Sequence, residues 1–135
     1  MKRKTRSLNP ILIVEKTDGE LWGRVKIKDT LITDSATSLP ALEKKMKVLI
    51  SGFEAVEVAE FEVSYDLTAF FDTHSYLNIS DVAKQAGINQ ALMRQYASGN
   101  KFPSFERVKE IEMAIRNIGK ELSKVRLSKS TREFA

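Results

Sequence analysis

The chain has 135 residues, 42% of them hydrophobic and 30% charged, with a formal net charge of +4, one histidine and no cysteine. That length allows one or two small domains with a modest core, and the missing cysteines exclude disulfides and thiolate metal sites. No apolar run approaches the roughly 18 residues of a bilayer-spanning helix, and Met1 to Pro10 is basic without an adjoining signal-peptide apolar region, so no membrane role and a cytoplasmic location are expected.

The distribution of charge says more than its total. Residues 1–7 carry +4, residues 8–70 carry 7 Lys/Arg against 11 Asp/Glu, and residues 71–135 carry 11 against 7. A basic C-terminal half suits phosphate contacts. An acidic middle suits a basic partner.

Residues 1–8 read as a flexible basic arm. Ile11-Leu-Ile-Val14 is an apolar run that reads as a strand buried on both faces. Asp18-Gly19 is a hairpin signal, since both positions tolerate positive φ. The return strand, residues 21–28, alternates: Leu21, Gly23, Val25 and Ile27 share one face, Trp22, Arg24, Lys26 and Lys28 the other. Trp22, the only tryptophan, thus falls on the polar face, as an interface anchor or beneath another element. Asp29-Thr30 turns the chain and residues 31–36 form a third strand. Ser38 caps a helix with Pro40 in its first turn and an apolar stripe of Leu39, Leu42, Met46, Leu49, Ile50 and Phe53, and Gly52 is its expected stop. Residues 54–66 form a fourth strand with a bulge near Ala59–Glu60, from which Glu57, Glu60 and Glu62 project. One helix cannot cover both faces of this β-β-β-α-β sheet, so a second copy or a partner is expected on the other face or an edge, with Trp22, Arg24, Glu57, Glu60 and Glu62 as its surface.

The second half changes period. Residues 67–73 form a short helix whose Leu67, Phe70 and Phe71 pack under the next pair of helices. Ser80 to Pro103 reads S-D-V-A-K-Q-A-G-I-N-Q-A-L-M-R-Q-Y-A-S-G-N-K-F-P, two short helices about a glycine corner. Ser80 caps the first, Gly87 turns the chain, Ile88 plugs the corner, Asn89 caps the second, Met93 and Tyr96 form its buried stripe, and Gly99 and Pro103 end it. This is helix-turn-helix geometry, in which the second helix enters the major groove of double-stranded DNA. The competing reading is an αα-hairpin in an ordinary bundle. Gln90, Ala91, Arg94, Gln95 and Ser98 fall on the exposed side. Gln suits adenine, Arg suits guanine, and an Ala methyl meets the thymine methyl. Gln90, Ala91, Arg94 and Gln95 are therefore the base-reading candidates, and Ser80, Asn89, Ser98 and Lys101 the phosphate candidates. Ser104 caps a long helix with the stripe Val108, Ile111, Ala114, Ile115, Ile118, Leu122 and Val125, whose second half exceeds what the helical core needs. Residues 127–135 read as a frayed tail.

Residues 67–119 resemble the phage-repressor type of helix-turn-helix domain. The match lies in the A-x-x-x-G-I-N turn (Ala83, Gly87, Ile88, Asn89) and the S-G-x-x-x-P-S exit (Ser98, Gly99, Pro103, Ser104). The resemblance implies that Gln90 and Gln95 stand where that family reads bases, flanked by Ala91 and Arg94, with Ser98 and Lys101 near phosphates. Residues 9–125 resemble HicB antitoxins, most of all in N-I-S-D-V-A-K-Q-A-G-I-N-Q-A-L-M-R-Q-Y-A-S-G with a long helix behind it. That implies an α+β chain: a partial, inactive RNase H-like domain over residues 9–66, then a helix-turn-helix domain over 67–126. It implies two partners, operator DNA and a small HicA-like ribonuclease toxin, and a homodimer or tetramer that represses its own operon. Residues 28–34 depart from the family, lacking its Pro-Gly-Cys-like loop ending in Gly-x-Thr.

A stand-alone repressor whose first domain only oligomerises is the alternative. A nuclease would need Glu15, Asp18, Asp29 and Asp34 to converge on Mg²⁺, but Asp18 and Asp29 fall in turns at opposite ends of one strand. No catalytic residue, metal site or cofactor is expected.

Overall fold

Alternating residues in the first third of the chain build the sheet that carries everything else. The structure, a computed structural model, describes residues 7–129. Within them the fold is mixed α/β, with a four-stranded sheet, a two-stranded sheet and five helices. The strands are β1 (Ser7–Leu8), β2 (Ile11–Thr17), β3 (Glu20–Ile27), β4 (Thr30–Ala36), β5 (Glu57–Val58) and β6 (Glu62–Tyr65). The helices are α1 (Leu39–Glu54), α2 (Leu67–Thr73), α3 (Ile79–Ala86), α4 (Gln90–Ser98) and α5 (Phe105–Ser123).

The larger sheet has the order β4-β3-β2-β6, with β6 parallel to β2 and the other pairs antiparallel. Asp18 and Gly19 turn the first hairpin at φ 52° and 78°, the positive pair that matches the strands' twist. The second turn uses Lys28 (φ 55°) and Asp29, so β4 begins one residue earlier than expected. Leu21, Val25 and Ile27 bury one face of β3 against Leu42, Met46 and Ile50 of α1. Gly23 lets the helix close: a Cβ there would lie 2.9 Å from Leu12 Cδ1 and 3.0 Å from Leu42 Cδ2.

Several sequence expectations are corrected. β2 is buried on one face, not both. Leu12 and Val14 are fully buried, whereas on the other face Ile13 is half-buried and Ile11 is 53% exposed, because α1 covers only one side. α1 passes Gly52 and ends on Ala55, which adopts φ 52° and bonds through its N–H to Ser51 O. Its buried stripe stops at Ile50, and Phe53 is 66% exposed. The strand expected over 54–66 is two strands in different sheets, since β5 pairs with β1 and β6 with β2. The phase slip read as a bulge is this change of sheet, with Phe61 buried at the break. Ser7 and Leu8, assigned to the arm, form β1; the other arm residues lie outside those described, as do residues 130–135 of the tail, and residues 127–129 have no regular structure.

Asp66 alone joins β6 to α2. Its N–H reaches Val14 O at 2.9 Å and its carboxylate accepts the Ala69 N–H at 2.8 Å, so one residue ends a strand and caps a helix. Burial raises its pKa above the ordinary aspartate value, opposed by the Ala69 N–H, reinforced by Glu15 and opposed again by the Lys16 N–H. Lys16 and Asp72 form an ion pair between β2 and α2. The Tyr65 ring meets Phe70 edge-on at 5.9 Å. Beyond this joint Phe71, Val82, Ala83, Ile88, Met93, Tyr96 and Ile111 form a second core among α2–α5.

Candidate nucleic-acid interface

α3 and α4 are too short to persist alone, so their ends decide their geometry. Asn78, not Ser80, caps α3: its side chain accepts the Asp81 N–H at 3.1 Å, because the first helical residue is Ile79. Gly87 ends α3 at φ 70°, and the Ile88 N–H reaches back to Ala83 O at 2.9 Å. Asn89 caps α4 with its side-chain oxygen, accepting from the Ala91 and Leu92 N–H groups at 2.9 and 3.2 Å. Gly99 ends α4 at φ 82°. Ala83 is fully buried, and its small size suits the place where the two helices pack.

Met93 and Tyr96 turn inward, and that orients the rest of α4. Ala91, Arg94, Gln95 and Ser98 are exposed and Gln90 is half-buried. Asn89 before the helix and Lys101 after it are exposed as well. The structure therefore brings the expected base-reading residues together on one side of a helix about 13 Å long, at about 1.5 Å per residue, comparable with the width of the major groove. Asn89 is committed through its side-chain oxygen to the cap, and the Ser98 hydroxyl donates to Gln95 O at 3.1 Å.

Ser80 has a use that its sequence position did not reveal. Freed from capping, its hydroxyl accepts from Arg94 Nη2 at 2.6 Å. The bond spans α3 and α4 and fixes where the guanidinium points. Phe102 and Phe105 are also exposed just beyond α4, with Lys109 Nζ 5.2 Å from the Phe105 ring centroid. The run K-F-P-S-F was the available signal for this aromatic and basic rim.

The expected partner surface is divided. Trp22 and Arg24 lie on the uncovered sheet face, and Glu62, opposite Ile11 in the register, shares it. Glu57 lies on β5 and Glu60 in the break before β6, so neither belongs to that face. The face is not acidic either: Glu15 is paired with Arg24, and Lys26 is exposed beside it. Of the other carboxylates, Asp18 is at a hairpin tip, Asp29 at the opposite turn, and Asp34 lies 3.2 Å from Lys45 Nζ. No group of three His, Cys, Asp or Glu among the described residues could hold a metal ion, and no described helix is long and apolar enough to cross a membrane. His74 stacks on Phe70 at 4.7 Å and ends α2. Comparison of the chain with protein-family models, with curated proteins and with solved structures finds no match.

Proposed function

We propose that this chain is a sequence-specific binder of double-stranded DNA that reads bases with α4, and that it acts as an autorepressing antitoxin. In this reading residues 67–126 are a helix-turn-helix DNA-binding domain and residues 9–66 a HicB-like domain that neutralises a HicA-like ribonuclease toxin. The observation that carries the DNA reading is the row of Gln90, Ala91, Arg94 and Gln95 on the outer side of a helix fixed at both ends by Asn89 and Gly99. Gln and Arg form bidentate pairs with purine edges, and the basic balance of residues 71–135 supplies phosphate attraction. The antitoxin part rests on the resemblance to HicB proteins.

One observation favours a second reading, a stand-alone repressor. The uncovered sheet face carries Arg24 and Lys26 beside Glu15 and Glu62, so it is no simple acidic cover for a basic enzyme. Co-expression with the adjacent small reading frame separates the two. A neighbour that is toxic alone and is held through residues 9–66 supports the antitoxin. A harmless neighbour, with the protein still shifting its own promoter DNA, supports the plain repressor.

Two substitutions test the reader. Gln95→Ala is expected to weaken operator binding by about 1–3 kcal/mol and relax specificity at one base pair; a uniform loss over all sequences would make Gln95 a backbone contact. Ser80→Ala is expected to loosen preference at the base pair read by Arg94 while sparing binding to random DNA, which a phosphate contact would not do. Titration of one labelled operator and its single-base variants reads both.

A further inference from the structure

The two edges of the larger sheet are treated differently. At β4, Lys45 Nζ donates to Ser35 O at 2.6 Å and lies 3.2 Å from the Asp34 carboxylate, so a charged side chain guards that edge. Among the described residues no such guard stands at β6. There the Glu62 N–H reaches Pro10 O at 3.0 Å and the Asp66 N–H reaches Val14 O at 2.9 Å. In a parallel ladder these alternate residues bond to one neighbour, so Val63 and Tyr65 turn their N–H and C=O groups the other way. That way lies a cleft of about 440 Å³ running along all of β6. Its far wall is Val108, Ile111 and Ile115 of α5, and Glu62 and Glu112 outnumber Arg116 among its charges.

We propose that this cleft receives an extended segment of a second copy of the chain, residues 125–128, which adds a strand to β6. Val125 is 57% exposed and Leu127 93% exposed, two apolar side chains free for contact. Two apart, they lie on one side of an extended strand, where they meet the apolar wall, and Arg126 lies on the other side, toward Glu62. The chain's own segment cannot lie along the cleft. Arg116 is about 10 Å along α5 before Ser123, at about 1.5 Å per residue. Val125, two residues past Ser123, covers about 7 Å even when doubling straight back, so it stops short of Arg116 and only Leu127 comes level with the near end. A second copy does reach. The stripe that lines the cleft continues along α5 through Gly119 and Leu122, which border a smaller apolar hollow, and a Cβ at Gly119 would meet nothing within 4 Å. Two α5 helices crossing antiparallel at Gly119 carry the extended residues 125 and 126 of each alongside Ile111 and Val108 of the other. The exchange is reciprocal and closes as a twofold pair. It does not require α4 to read DNA.

Sedimentation of the full chain over a range of concentrations tests this. The wild type is expected to dimerise. Leu127→Asp, at a site too exposed to disturb the fold, is expected to raise the dimer Kd at least tenfold, about 1.4 kcal/mol. Val63→Pro removes an N–H that the β2 ladder does not use and is expected to do the same with its circular dichroism unchanged. Glu62→Lys weakens the pair and Arg126→Glu in the same chain restores it. A wild type that stays monomeric at about 100 μM overturns the proposal. So does a Leu127→Asp dimer of undiminished affinity, or a folded Val63→Pro chain that still pairs normally.

Discussion

Met46 and Met93 are both fully buried, yet they sit in cores of different size and different construction. The core under the sheet holds 14 buried side chains and the core among α2–α5 holds 7. Strand alternation fixes the register of the first, and a sixteen-residue helix seals it with a single polar cap at Ser38. The second is built from helices of seven to nine residues closed by α5, and nearly every end is tied by a side chain or a left-handed glycine. A large core tolerates one bare face. A small one must fix its backbone turn by turn, and that fixing is what aims the exposed side chains of α4.

The sharpest test of the contrast removes each methionine. Met46→Ala and Met93→Ala are each expected to cost about 2–5 kcal/mol. Trp22 lies on the sheet, so its fluorescence follows that half, while circular dichroism is weighted toward the helices. Met93→Ala is expected to lose helical signal at lower denaturant than the Trp22 transition; coincident transitions would make the two cores one cooperative unit. A smaller effect separates the glycines. Gly23→Ala drives a methyl into Leu12 and Leu42 and is expected to cost about 1–3 kcal/mol. Gly87→Ala meets no atom within 4 Å and carries only the left-handed backbone penalty, about 1 kcal/mol. Denaturant midpoints rank the pair, and the reverse order would locate the strain in the helical corner instead.

The smallest effect is at the joint. Burial raises the Asp66 pKa, so the folded state disfavours its charge. Its contribution to stability is then full below the unfolded value, about 3.9, and is lost as pH rises through the folded value. Asparagine keeps the cap without the charge. Asp66→Asn is expected to melt at or slightly above the wild-type temperature at neutral pH, with the difference vanishing below about pH 4. A wild type that is the more stable at neutral pH would reverse the sign of the shift.

Elements whose signals are local were legible in the sequence. Asp18-Gly19 marked its hairpin, Ser104 its cap, and α2 falls on the residues expected of it. What was not legible depended on distance in the chain. N-I-S-D offers two capping residues two apart, and only the start of α3 chooses Asn78 over Ser80. Ala55 takes the left-handed position that Gly52 was expected to supply, and α1 runs four residues past Ile50, its last buried residue. The split of residues 54–66 depends on β1 being available to pair with β5. The outward placement of Ala91, Arg94 and Gln95 was legible because Met93 and Tyr96 fix the phase of α4. The Ser80–Arg94 bond was not, since it joins residues 14 apart on two helices.

Asp66 is the whole of the connection between β6 and α2, and both its backbone and its side chain are committed there. A joint with no spare residue acts as a lever, not a tether. If α4 reads DNA as proposed, any contact that sets two sheets against each other would also set the separation and tilt of the two α4 helices, and the spacing between half-sites on a bound duplex would be ruled by the sheet end of the molecule. Lengthening the joint by a residue or two would leave each half intact and make the pair indifferent to that spacing.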